Sequence, residues 1–100
     1  MTKKNISPEP GLRLRRLRES LNLSRTDFEE ITGMSANTMR SIEIGKLELA
    51  RGKALMYSNM FIFLFEMEPS EASVDMLLYG EQRTYQTDKK AIIVRKRSGL

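Results

Sequence analysis

The sequence predicts an all-α fold, a compact five-helix domain, on three observations. Apolar residues recur at spacings of three and four along most of the chain, the period of one helix face. Serines precede three of these runs, at Ser24, Ser35 and Ser73, where a hydroxyl can accept a free first-turn amide. Glycines close the same three runs, at Gly33, Gly45 and Gly80, where a helix end often needs a left-handed residue.

Residues 1–10 contain two prolines and scattered polar groups, and read as a flexible N-terminal arm. A first helix starts at Gly11, with Leu14, Leu17 and Leu21 on one face and arginines between them; Asn22 and Leu23 interrupt it. Ser24 and Asp27 form a capping-box-like pair that opens a second helix, whose inward face is Phe28 and Ile31. After Gly33 and Met34, Ser35 caps a third helix, with Met39 and Ile42 inward and its end at Gly45. A long apolar stretch from Arg51 to Met67 predicts a fourth helix with two stripes. One is Ala54, Ser58, Phe61 and Phe65, the other Met56, Met60, Phe63 and Met67. Glu68, Pro69 and Ser70 break it, and Ser73 caps a short fifth helix, Val74–Tyr79. Residues 81–100 read as a basic tail with a role in dimerisation, in which Ala91–Val94 leaves a short strand at 92–95 open.

Composition removes most chemistry. The chain has 100 residues, one domain's worth, and neither cysteine nor histidine. It therefore offers no disulfide, no thiolate nucleophile and no imidazole base or metal ligand. With no glycine-rich phosphate loop and no convergent carboxylates either, the expectation is a non-enzyme without metal or cofactor. The longest apolar run, Met60–Phe65, falls far short of the ~18 residues of a membrane span, so a cytoplasmic, nucleoid-associated protein is expected. The net charge of +4 is unevenly placed. Residues 1–20 and 81–100 each hold six basic and two acidic side chains, around a mildly acidic middle. That asymmetry fits a polyanion partner, and on charge alone fits solvated tails equally well.

Two short helices joined by a turn containing Gly33 make a helix-turn-helix. The outward face of the second, Ala36, Asn37, Thr38, Arg40 and Ser41, is small and polar where a merely solvated helix carries long Lys and Glu side chains. The segment LRRLRESLNLSRTDFEEITGMSANTMRSIEIG (Leu14–Gly45) resembles the lambda-repressor-like, XRE-type (Cro) DNA-binding domain. SVDMLLYGE (Ser73–Glu81) is similar to the last helix of the same fold, which sets the domain at residues 11–80.

The resemblance implies a role for each matched position. The third helix enters the major groove, with Ala36, Asn37, Thr38 and Ser41 at the base-reading positions. Asn37 suits adenine and Ala36 a thymine methyl. Ser24, Arg25, Ser35, Arg40 and Lys46 fall at phosphate-contacting positions; Arg25 stands where the family usually has glutamine, and guanine remains open to it. Arg18 and Glu43 match a structural ion pair of the family. The sequence departs from the pattern in lacking the proline after the Gly-Lys turn, with Leu49 near that place, and in a longer stretch between Gly45 and Ser73.

The expected function is a sequence-specific transcriptional regulator, a repressor of bacterial or phage type, bound to double-stranded operator DNA as a homodimer. The alternative is an autoregulating antitoxin that also binds a toxin; a toxin or antirepressor partner is left open. The Met56, Met60, Phe63 and Met67 stripe is the expected dimer interface, because a 100-residue fold can hardly bury every side of so apolar a helix.

Overall fold

The structure, a computed structural model, describes residues 8–83. The expected strand at 92–95, the Arg95–Arg97 cluster and most of the N-terminal arm lie outside the described residues. Within them the protein is all-helical: α1 (Glu9–Ser20), α2 (Arg25–Thr32), α3 (Ala36–Glu43), α4 (Arg51–Asn59) running into a π-helical segment (Met60–Leu64), α5 (Pro69–Ala72) and α6 (Val74–Tyr79). α1 packs on α3 and α6, α2 on α3, and α4 on α6.

α1 begins two residues before Gly11, because a proline in the first turn gives up only an amide that has no helical partner there. Gly11 serves a different purpose from helix initiation. A Cβ at this position would run into the carbonyl oxygen of Ile42, so only glycine lets α1 lie this close to the end of α3. Leu14, one turn on, is fully buried. Arg13, on the other side of α1, donates from Nε to the Leu77 carbonyl (2.9 Å) and from Nη2 to the Leu78 carbonyl (2.8 Å). These are carbonyls of the last turn of α6, so the guanidinium supplies both the missing donors and a favourable charge at that helix end.

The core centres on Phe28, which has no exposed surface. Its ring lies 6.0 Å from Tyr57, 5.5 Å from Phe61 and 5.8 Å from Phe65, centroid to centroid, all in tilted arrangements. One side chain of α2 thereby docks the helix-turn-helix onto α4 and the segment after it. The fourth helical stretch is not α-helical to Met67, as its periodicity suggests. From Met60 the backbone widens to i→i−5 bonding, with the Phe65 amide on the Met60 carbonyl at 3.0 Å. Phe65, four residues after Phe61, also lies against Phe28.

The second stripe is split by burial. Met56 and Phe63 are exposed, whereas Met60 and Met67 pack partly against the core. Ile31 corrects the reading of α2: it is 50% exposed, because Phe28 alone fills the space between α2 and the core. The break falls at residues 65–68, and Pro69 starts the extra helix α5, in the first-turn position that proline tolerates. Leu49 is buried and plugs the α3–α4 connection.

Tyr57 is fully enclosed, and burial, reinforced by the Glu43 charge, pushes its hydroxyl up from 10.0 to about 12. A raised acid pKa leaves stability untouched below the unfolded value. Stability then falls as pH climbs from 10 towards 12, because only the unfolded chain gives up the proton there. Tyrosinate absorbance should therefore show one of the three tyrosines resisting ionisation until the chain unfolds. Tyr57→Phe should flatten the alkaline loss of stability, a term of up to about 2–3 kcal/mol. Identical alkaline unfolding curves for the two proteins would refute this.

Candidate nucleic-acid interface

The frame of the site is a set of short-range bonds around one turn. At the start of α2, the Ser24 hydroxyl accepts from the Asp27 amide (3.0 Å) and the Asp27 carboxylate accepts from the Ser24 amide (3.2 Å), a complete capping box. α2 stops at Gly33, whose φ of 80° is strained for any side chain larger than hydrogen. Thr32 pins the turn: its hydroxyl donates to the Phe28 carbonyl (2.7 Å) and accepts from the Met34 amide (3.0 Å). α3 is capped twice. Ser35 Oγ accepts from the Thr38 amide (3.1 Å), and Glu29 Oε1 accepts from the Ala36 amide (2.9 Å).

α3 buries Met39, Ile42 and Glu43 and turns its other side outward. Asn37 and Arg40 are exposed, while Ala36, Thr38 and Ser41 are half-buried. Ile44, at the C-terminal end, is exposed and follows Asn37 and Ser41 along the same face at helical spacing. Lys46 is exposed on the turn that follows, where its own amide and that of Leu47 both donate to the Ser41 carbonyl, at 2.8 and 3.0 Å. Ser24 and Ser35 are exposed, and each hydroxyl, having accepted one amide, keeps its proton to donate.

Behind this face lies a three-member charge cluster. Glu43, whose side chain is 0% exposed, takes a two-pronged contact from Arg18: Nε to Oε2 at 2.8 Å and Nη2 to Oε1 at 2.9 Å. Arg18 Nη1 also donates to the Leu23 carbonyl (2.7 Å), which ties the α1–α2 turn to the same group. The hydrogen bond to Glu43 raises the Arg18 guanidinium above its ordinary value despite the opposing effect of burial. Arg25 joins from α2, with Nε on Glu43 Oε1 at 2.8 Å and a side chain 29% exposed. Thus Arg25 is tied to the carboxylate by one nitrogen, and does not extend freely from the start of α2.

Two features of the site escaped sequence reasoning. Glu29 as a cap for α3 has no local signal, since the turn geometry brings it seven residues along the chain. The Arg25–Glu43 bond crosses 18 positions, and only placing both residues beside Arg18 reveals it. Residues 8–83 carry ten Lys and Arg against twelve Asp and Glu, so the positive balance of the chain comes from residues 1–7 and 84–100. Among the described residues no group of His, Cys, Asp and Glu can hold a metal ion, and no helix is long and apolar enough to cross a membrane.

The expected interface stripe borders an open cleft of about 530 Å³ lined by Ile31, Thr32, Asn59, Met60, Phe63 and Leu64. Phe63 is 76% exposed at its rim. Met56 lies on the exposed part of α4 and Met67 beyond the π-helical segment, outside the lining of this cleft.

The two arginines on Glu43 should differ in what they hold. Arg18→Ala removes the two-pronged partner of a buried carboxylate and should cost about 3–5 kcal/mol. Arg25→Ala leaves that partner in place at a partly exposed pair and should cost about 1 kcal/mol or less. Urea melts of both variants test this, and equal losses would contradict the division.

A family model described as a helix-turn-helix domain matches residues 10–55, from the first turn of α1 into α4. No curated protein and no solved structure matches the chain.

Proposed function

With residues 10–55 a helix-turn-helix domain, the architecture of DNA-binding regulators, we propose that the protein is a sequence-specific repressor, of bacterial or phage type, acting on double-stranded operator DNA. The observation that carries this reading is the outward face of α3. Small and polar side chains there sit on a helix fixed by two caps, a glycine turn and a buried ion pair. Asn37 forms two hydrogen bonds to adenine, Ala36 meets a thymine methyl, and Thr38 and Ser41 complete the base-reading set. Ser24, Arg25, Ser35, Arg40 and Lys46 contact phosphates and fix register. The basic residues 1–7 and 84–100 add sequence-independent attraction that the acidic folded part lacks. No catalytic, metal or cofactor role belongs to this reading.

Selection of binding sites from random duplex DNA tests it, since the enriched sequence gives half-site and symmetry together. Asn37→Ala should weaken the selected site by roughly 1–3 kcal/mol and relax one base position, while random duplex is bound as before. Equal loss on both DNAs would remove Asn37 from the reading set.

A single recognition helix reads too few base pairs to single out an operator among genomic competitors, so the proposal includes a homodimer. Its interface is the exposed apolar surface of Met56 and Phe63 with Met60, Met67 and the adjoining Ile31 and Leu64. The same surface supports the second reading, an antitoxin whose toxin covers it. Phe63→Glu should give a folded monomer with weak, poorly selective DNA binding. Sedimentation at micromolar concentration decides between the two: a wild-type monomer, with and without DNA, excludes the homodimer.

A further inference from the structure

We propose that Glu43 is a positioning residue for DNA binding: its buried carboxylate grips Arg25 by Nε and holds the rest of that guanidinium ready for a phosphate. The inference rests on the DNA-binding reading and adds to it a working role for a residue buried behind the interface. Glu43 needs only one cation to be neutral, and Arg18 supplies it with two hydrogen bonds at 2.8 and 2.9 Å. The second arginine is therefore in excess of what the buried charge requires. The three side chains together carry +1, and because Glu43 is enclosed and Arg18 only 8% exposed, the accessible share of that charge is on Arg25.

The hydrogen bonding of Arg25 also divides its donors. Nε is committed to Glu43 Oε1 at 2.8 Å, whereas Nη1 and Nη2 have no partner among the described residues. Neither of those nitrogens is a buried unsatisfied atom, so both reach solvent. A guanidinium fixed at one nitrogen and open at two is preorganised for the fork contact that phosphate oxygens accept. An untethered arginine would have to lose rotamer freedom to make the same contact. Glu19 on α1, whose carboxylate also feels the Arg25 charge, is already engaged by Arg15 at 2.9 Å, leaving Arg25 to Glu43.

The sign of one substitution separates this role from simple electrostatics. Glu43→Gln removes a negative charge behind a DNA-binding face, which by charge alone strengthens binding to any duplex. If Glu43 positions Arg25, the same change weakens binding. The experiment measures anisotropy of a fluorescein-labelled random-sequence 24-base-pair duplex with full-length protein across a salt series.

Arg25→Gln should weaken binding about three- to tenfold and lower the salt slope by about one unit. Glu43→Gln should reproduce much of that loss, and in the Arg25→Gln background should produce no further loss. Arg25→Lys keeps the charge without the fork, and should bind nearly as weakly as Arg25→Gln while melting like wild type. This last variant carries the test if Glu43→Gln fails to fold. Tighter binding by Glu43→Gln, additive losses in the double variant, or wild-type affinity in Arg25→Lys would overturn the proposal. A wild-type protein that shifts no duplex at low salt would overturn the DNA-binding reading itself, and this inference with it.

Discussion

A carboxylate with no exposed surface has to be matched by cations that other elements bring to it, and Glu43 places that demand on α3. Arg18 comes from α1, Arg25 from α2, and Arg18 also reaches the Leu23 carbonyl in the turn between them. Three helices are thereby fixed in register around one acidic group. Gly11 makes the arrangement possible, since α1 approaches the end of α3 closely only where a Cβ is missing. An apolar side chain in place of Glu43 would also fill the space, but would not fix which arginine lies where. The ion pair thus favours one arrangement of α1, α2 and α3 over others of similar compactness.

Rigidity around α3 has a counterpart in how charge is divided. The folded part, with ten basic and twelve acidic side chains, has no surplus with which to attract DNA from a distance. Glu29 and Asp27 are both spent on helix ends, which lowers their freedom to pair with the arginines of the same surface. Under the proposed operator-binding reading, the folded domain supplies discrimination, and long-range attraction falls to the basic terminal segments. The two contributions respond differently to salt, because counterion release scales with phosphates neutralised and not with bases read.

How much of this was legible in the sequence follows from the range of each interaction. The caps at Ser24, Ser35 and Ser73 and the ends at Gly33 and Gly80 are local, spanning at most three or four residues, and could be read directly. The Arg18–Glu43 pair, 25 positions apart, came only through resemblance to a family, because nothing in spacing links two residues at that distance. What stayed hidden is what depends on packing: the Arg25–Glu43 bond, the reach of Glu29 across the turn, and the exposure of Ile31. The π-helical segment was hidden for a further reason. Period counting assumes a constant pitch, and MFIFL is apolar at every position, so no pattern reports the change.

The π-helical segment and Phe65 after it touch both the core and the outer surface. Phe65, just after the π-helical segment Met60–Leu64, lies against Phe28, and with Phe61 it completes the aromatic cluster that seats the helix-turn-helix. Phe63, within the same segment, is 76% exposed beside the cleft that Ile31 and Leu64 border. An isolated chain gains nothing by presenting this ring to water, and leaving it there forgoes roughly 1.5–3 kcal/mol of burial. Because Ile31 and Thr32 of α2 line the same cleft, any partner seated there is in direct contact with the element that carries the turn into α3.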